Sequence, residues 1–550
     1  MFLTWTRRRA CTRLAVAGVT VGALVAVAPV VSAGDPGGLT AATGPGAGPG
    51  AGPVVGPVVG TADGAVRGVA VPISGRAVNE FLGIPYAAPP VGALRWRPPQ
   101  PAASWSGVRR ATQFAPHCPQ SASRFGLAST SEDCLFLNVF TPRHQQAGSH
   151  FPVMVWIHGG ALVTGESNDY DPTGLVADGV TVVTINYRLG ALGFLAHPAL
   201  ADAHGQSGDY GLMDQQAALR WVQRNIASFG GDRHNVTVFG ESAGGLSTLS
   251  QMASPQARGL FEQAIVESGS YNLTQASLAS AESAGAAFAT KAGCASQTAA
   301  CLRSLPVSTI LASQNAAGYT PNINGEVLPQ TLGSAFATGN FNRVPIINGT
   351  IRDEWRLFVA LGELEGNPVT ASNYQSMISS TLGVPAAVAV IIAAKYPLTA
   401  FSSPSVALGA VGTDAIFACP ALAIDQSVSR FVPTFAYEFN DENAPELFLP
   451  PVSFPYGAAH ASEIQYLMGL PTAAFGQALS AQQQQLATIM KGYWTHFANS
   501  GFPASSGIPF WPLFNSLTRT IQSLVPPSPQ TETDFASAHN CAFWTALEAA

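Results

Sequence analysis

The chain of 550 residues is short of charge: Asp, Glu, Lys and Arg together make up only 11% of it, and it is lysine-poor. With a formal net charge of −6, such a surface has little to neutralise rows of phosphates, which excludes nucleic acid and anionic membrane as partners. Cysteine is sparse as well, seven in all, and neither C-x-x-C nor H-x-x-x-H spacing occurs. That removes the usual metal-ligand patterns, so neither metal nor cofactor is expected. Beyond the amino terminus no apolar run reaches the ~20 residues of a bilayer span, the run at 386–394 being too short.

What is present begins with an export signal. TRRRACTR (6–13) is a basic region, LAVAGVTVGALVAVAPVV (14–31) is apolar, and Val31-Ser32-Ala33 fits a small-residue cleavage site. Residues 1–33 are therefore read as a signal peptide. An uncleaved anchor is the alternative, because the apolar run is near spanning length, and the paired arginines also permit twin-arginine export. Cleavage removes four arginines and no acid, leaving 22 basic and 32 acidic side chains, a formal charge of −10. It also removes Cys11, and the six remaining cysteines of an exported chain suggest disulfides. Their spacing suggests the local pairs Cys118 with Cys134 and Cys294 with Cys301, leaving Cys419 with Cys541, although about fifteen connectivities are open to six cysteines.

The stretch 34–59 is almost all Gly, Pro and Ala and cannot offset its own ordering entropy, so a disordered linker is expected there. Residues 60–550 then form one catalytic domain, without internal repeat or second linker. Within it FPVMVWIHGG (151–160), VTVVTINY (180–187), NVTVFG (235–240) and RVPIING (343–349) are short apolar or β-branched runs ending at Gly or Asn. Such runs predict strands buried on both faces of a mainly parallel sheet. Helical spacing in 214–232, 276–289 and 482–497 supplies the other layers of an α/β fold.

FGESAGG (239–245) carries G-x-S-x-G between a predicted strand and a helix start. There a sharp turn would expose the Ser242 hydroxyl, with Gly240 and Gly244 avoiding collisions; a simple glycine turn is the alternative. A serine hydroxyl attacks only if a base takes its proton. In this architecture the acid and then the histidine follow the serine along the chain. Of the later histidines, His496 lies in a helical segment and His539 beside Cys541, whereas His460 sits in a small-residue loop, FPYGAAHASEIQYLMG, and is the expected base. Beyond the run at 343–349, Asp353 and Glu354 are the candidate acids, and Glu354 is preferred. Spacing does not separate the two. Backbone donors for an oxyanion are expected from Ala243, directly after the serine, and from Gly159, Gly160 and Ala161 in WIHGGALVTGE.

FLGIPYAAPPVGALRWRPPQP, SEDCLFLNVFTP, DYGLMDQQAALRWVQRNIASFGGD, FGESAGG and CAFW together resemble the type-B carboxylesterases, which include cholinesterases and some fungal lipases. The resemblance extends from Gly60 to the end. It implies an α/β-hydrolase fold with large insertions over the sheet, a Ser242-Glu354-His460 triad, Glu241 beside it, and the three disulfides above. It narrows the oxyanion donors to Gly160, Ala161 and Ala243. Two departures stand out: Ala161 replaces a third glycine, and the Cys118 to Cys134 loop lacks both the tryptophan of cholinesterases and the long lid of lipases. The expected protein is a secreted esterase acting on small-molecule esters; a lipase, or a binding protein on the same scaffold, are the alternatives. Oligomeric state, and use of the sequons at Asn235, Asn272 and Asn348, are not legible.

Overall fold

In the computed structural model, which describes residues 54–73, 76–143, 150–315 and 319–549, the apolar runs pair into one thirteen-stranded sheet. Its strands are β1 (Val54–Thr61), β2 (Gly64–Ile73), β3 (Arg76–Pro85), β4 (Val108–Arg110), β5 (Phe136–Pro142), β6 (Phe151–Ile157), β7 (Thr181–Ile185), β8 (Gly231–Glu241) and β9 (Gln263–Glu267). A separate pair, β10 (Ala276–Ser277) and β11 (Asn322–Ile323), precedes β12 (Ile346–Ile351), β13 (Thr434–Phe439), β14 (Ile521–Leu524) and β15 (Gln530–Glu532). The spatial order is β1-β2-β3-β5-β7-β6-β8-β9-β12-β13-β14-β15, with β4 alongside β2. From β7 to β14 every neighbouring pair is parallel, and the antiparallel pairs lie toward the two edges.

The leader 1–33 and residues 34–53 lie outside the described residues. The rest of the expected linker is not one: β1 starts at Val54 and pairs Val55 with Val69 and Val59 with Val66. The cause is local, because valines flank Gly56-Pro57 and the register shift between Val55 and Val58 accommodates the proline on an edge strand. The folded region therefore begins before Gly60.

Alternation along the strands decides the layers. Val153, Val155 and Ile157 of β6 join one apolar cluster while Met154 and Trp156 join another; β7, β8 and β9 divide in the same way. Both faces are thus buried, as the unbroken apolar runs required. After two short helices, α1 (Thr173–Ala177) and α2 (Gly190–Phe194), the first face is covered by α3 (Tyr210–Asn225) and α4 (Ala243–Ala253). The helix Ala481–Ser500 covers the second face through Leu486, Met490, Trp494 and Phe497. A third cluster, built on Trp355, Ile378, Ile392, Val406, Phe417 and Trp544, joins the helical insertion that follows β12 to the carboxyl-terminal helix Cys541–Glu548.

Within that insertion the helical run Pro404–Val428 is long and apolar enough to cross a bilayer, yet 78% of its most apolar window is buried inside the protein, as in a core helix. The three disulfides are Cys118–Cys134, Cys294–Cys301 and Cys419–Cys541, one choice among the many that six cysteines allow. Of the sequons, Asn348 is fully buried and hydrogen-bonded to Ser270 and Asp425, which makes it unusable as a glycan acceptor.

Candidate active site

The carboxyl ends of parallel strands are where an α/β sheet exposes its loops, and the expected residues emerge there. β8 ends at Glu241 and α4 begins at Ala243, so Ser242 alone makes the turn, at φ 54° and ψ −119°. A non-glycine residue held in that region carries strain of ~1–3 kcal/mol, which the surrounding structure must over-determine. Here the Ser242 N–H donates to the Glu267 carbonyl on β9 at 2.8 Å. The neighbouring glycines are obligatory: a Cβ on Gly244 would lie 1.9 Å from the Ile157 carbonyl oxygen, and one on Gly240 2.5 Å from it.

Glu354 follows β12 through a short turn. Its Oε1 accepts from Thr350 Oγ1 at 2.7 Å and from the Ile351 N–H at 2.9 Å, leaving Oε2 free to face His460 Nδ1 at 2.5 Å. Asp353, which spacing could not set apart, turns the other way. It forms an ion pair with Arg356 at 2.8 Å and takes the Ala458 N–H at 3.1 Å, thereby pinning the loop that carries the histidine.

His460 Nε2 lies 2.8 Å from Ser242 Oγ. An ionised carboxylate accepts only, so Nδ1 must carry the proton shared with Glu354, and neutral Nε2 then accepts the serine hydroxyl. The imidazole is buried and its ring is flanked by Phe358 and Phe417, with centroids 5.2 and 5.1 Å away. Glu241 Oε1 approaches Nε2 to 3.2 Å. Burial alone would push the imidazole pKa down; Glu241 and Glu354 outweigh it and raise it above the ordinary 6.5.

Two further acids, not singled out from the sequence, lie beneath this arrangement. Glu463 is fully buried, and among the described residues neither of its oxygens has a hydrogen-bond partner. Burial, then Glu241, Glu267 and Glu354, push it well above the carboxylate range, so it is held as a neutral acid. Glu267 accepts from Trp494 Nε1 at 2.8 Å and is pushed up to about 8, first by burial. Burial likewise lifts Glu241 to about 7. Position three after His460 was the available signal for Glu463; nothing in the sequence signalled Glu267.

The loop after β6 lies over the serine. A Cβ on Gly159 would meet Ser242 Cβ at 3.2 Å and Glu241 Oε2 at 2.8 Å. His158, fully buried and stacked on Tyr187, is driven down to about 4 by burial; its neutral ring donates from Nδ1 to the Gly159 carbonyl at 2.9 Å. The next two expected loop donors are Gly160 and Ala161. Both residues hold positive φ, 95° and 55°, and at Gly160 a Cβ would lie 2.2 Å from the Thr164 carbonyl oxygen. Ala243 occupies the first position of α4, where an N–H has no acceptor within its own helix.

A half-buried hydroxyl in line with a buried imidazole and carboxylate, beside a strained glycine loop and a helix start, forms an arrangement able to add a serine oxygen to a carbonyl and hold the resulting oxyanion. A comparison with known proteins agrees in kind. The family described as "Carboxylesterase family" matches residues 55–544. The chain is 35% identical over 478 residues to the acylcarnitine hydrolase of Mus musculus, covering 82% of this chain and 84% of that one. It is 34% identical over 514 residues to the cocaine esterase of Homo sapiens, covering 87% and 89%. Carboxylesterase 1C of Rattus norvegicus is 34% identical over 515 residues, covering 88% and 92%.

Proposed function

Because the chain belongs to the carboxylesterase family, and is with it a carboxylic ester hydrolase, we propose that it works through Ser242, His460 and Glu354 by way of an acyl-enzyme. Ser242 Oγ attacks the ester carbonyl as His460 Nε2 takes its proton, and Glu354 holds the ring and stabilises the imidazolium. The tetrahedral oxyanion is held by the amides of Gly160, Ala161 and Ala243. Collapse expels the alcohol, which receives the proton from His460. Water then attacks the acyl carbon under the same base, and the acid leaves.

One observation carries this reading: the unbroken sequence of contacts from Glu354 to His460 at 2.5 Å and from His460 to Ser242 at 2.8 Å, on residues more than a hundred positions apart. Glu241 is proposed to steady the imidazolium from its position 3.2 Å away. The aromatic rings of Phe358 and Phe417 beside His460 favour an apolar acyl group. The Cys118–Cys134 loop spans only 16 positions, too few for a long lid, so small soluble esters are the proposed substrates. The basic leader, its apolar run and three disulfides support secretion into an oxidising compartment.

Ser242→Ala is expected to lower kcat on a chromogenic short-chain ester by roughly 10⁴-fold or more while leaving the circular dichroism spectrum unchanged. Turnover within tenfold of the wild type would overturn the assignment.

A further inference from the structure

Three consecutive residues of the loop after β6 hold positive φ: Gly160 at 95°, Ala161 at 55° and Leu162 at 61°. Two of them carry a Cβ, so the turn is strained and persists only if its surroundings fix it. Bonds within the loop set the direction of the donors. The Gly159 carbonyl is held by His158 Nδ1 at 2.9 Å, and the Gly160 carbonyl accepts from both the Val163 and the Thr164 N–H at 3.0 Å. A trans peptide is planar with its C=O and N–H opposed, so these two carbonyls aim the Gly160 and Ala161 N–H groups the other way. The aim of the second therefore depends on where Thr164 stands.

Thr164 is held from outside the loop. Gln120, fully buried between Cys118 and Cys134, presents Oε1 to Thr164 Oγ1 at 2.6 Å and to the Gly165 N–H at 2.7 Å, and its Nε2 reaches the Gly165 carbonyl at 3.3 Å. A backbone N–H only donates, so the side-chain atom facing it is the oxygen. Gln120 is itself fixed, because its N–H and carbonyl pair with those of Ser129 at 3.0 Å, two positions from the disulfide at Cys118. Gly126 closes over the contact: a Cβ there would lie 2.7 Å from Thr164 Oγ1 and 3.0 Å from Gln120 Oε1. A second tie from the same disulfide loop, His117 Nδ1 to Glu166 Oε2 at 2.9 Å, holds the residue after Gly165.

We propose that Gln120 is a positioning residue for the oxyanion hole: its amide fixes Thr164 and Gly165, Thr164 fixes the Gly160 carbonyl, and that carbonyl aims the Ala161 N–H. The proposal rests on the mechanism above, and adds to it that the donors depend on the Cys118–Cys134 loop. A bound ester places little charge on its carbonyl oxygen, whereas the tetrahedral intermediate places a full one there. Aim therefore matters to the transition state far more than to substrate binding. Acylation and deacylation both pass through such an oxyanion, so a loss of aim slows both by a similar factor. KM, which contains the ratio of the two rates, then stays where it was.

The test is Gln120→Met, which keeps the length of the side chain and removes its acceptor. With 4-nitrophenyl butyrate, kcat is expected to fall about ten- to a hundred-fold while KM stays within about threefold of the wild type. A trifluoromethyl ketone of matching chain length, to which the serine adds to give an oxyanion, should bind more weakly by the same factor as kcat/KM falls. The corresponding methyl ketone, bound without addition, should bind as before. A general loosening of the site would weaken both ketones alike, and that result, or a kcat within about fivefold of the wild type, overturns the proposal. Labelling to completion by a fluorophosphonate counts the nucleophiles, so kcat is expressed per intact site. A wild type not labelled at Ser242 would sink the nucleophile assignment, whereas a labelled variant with wild-type kcat sinks this proposal alone. Should Gln120→Met not fold, combining it with Thr164→Val removes both side-chain partners together, which costs far less stability than orphaning one. The same loss of kcat is expected of the double variant, and a wild-type kcat overturns the proposal.

Discussion

In the proposed mechanism, whether His460 carries a proton decides when the reaction can start, since only the neutral ring accepts from Ser242. Its pKa lies above the ordinary 6.5 because Glu241 and Glu354 outweigh the effect of burial. The base is therefore lost as pH falls through a value higher than that of a free histidine. The profile of kcat/KM against pH is expected to show an acid limb centred above 6.5. Glu241→Gln removes the larger of the two electrostatic contributions and should move that limb to lower pH; a limb that stays in place or moves upward would show that Glu241 does not act on the ring. At this scale the sequence was legible where chemistry forces a motif. Ser242 announced itself through the glycines that its turn requires, and His460 through the loop around it. The choice between Asp353 and Glu354 was closed to spacing, because it depends on which neighbour Arg356 and Ala458 draw away.

Among elements, strand cores were legible and their ends were not. The run 235–240 is part of β8, but that strand already begins at Gly231 because β6 pairs with it there, Phe151 against Gly231. The helix expected over 214–232 forms earlier, at Tyr210–Asn225, and stops before a 3₁₀ turn that ends at Gly230 with φ 85°. His539 shows the same limit in a different form. In the sequence it is a neighbour of Cys541; in the fold it bridges two elements, with Nδ1 2.7 Å from Asp414 in the run Pro404–Val428 and Nε2 2.6 Å from Glu438 on β13. Burial opposes its charge, but Glu438 and Asp414 push it up to about 10, while His539 holds Glu438 below its ordinary 4.5. A raised histidine contributes stability that is fully present below 6.5 and disappears as pH rises through 10. His539→Gln leaves two buried carboxylates without their cation, which costs about 3–5 kcal/mol. The gap in unfolding temperature between wild type and variant is expected to be widest near pH 6 and to close toward pH 10, as scanning calorimetry across that range would record. A gap independent of pH would show that packing, not charge, holds this junction.

The molecule as a whole is tied together unevenly. The parallel centre of the sheet, β7 through β14, is buried on both faces, whereas the helical insertion and the carboxyl-terminal segment rest on a cluster of their own. The segment is tied to the rest by the His539 bridge, by Asn540 and Trp544 donating to Asp414 and Tyr396, and by the Cys419–Cys541 disulfide, which closes 122 positions of chain. Cys294–Cys301 closes only 7. If a disulfide acts mainly on the unfolded chain, the long loop contributes about 5 kcal/mol and the short one about 2 kcal/mol. Cys419→Ser combined with Cys541→Ser should therefore lower the temperature of irreversible inactivation far more than Cys294→Ser with Cys301→Ser. Both variants should retain wild-type kcat at 25 °C, because neither pair touches Ser242, Glu354 or His460. Heating each protein at a series of temperatures and assaying the residual esterase activity measures the order directly. Equal losses would mean that the long loop is already constrained in the unfolded chain, or that the carboxyl-terminal segment opens without the rest. Limited proteolysis near Cys541 separates these two, since only local opening exposes the backbone there before the activity is lost.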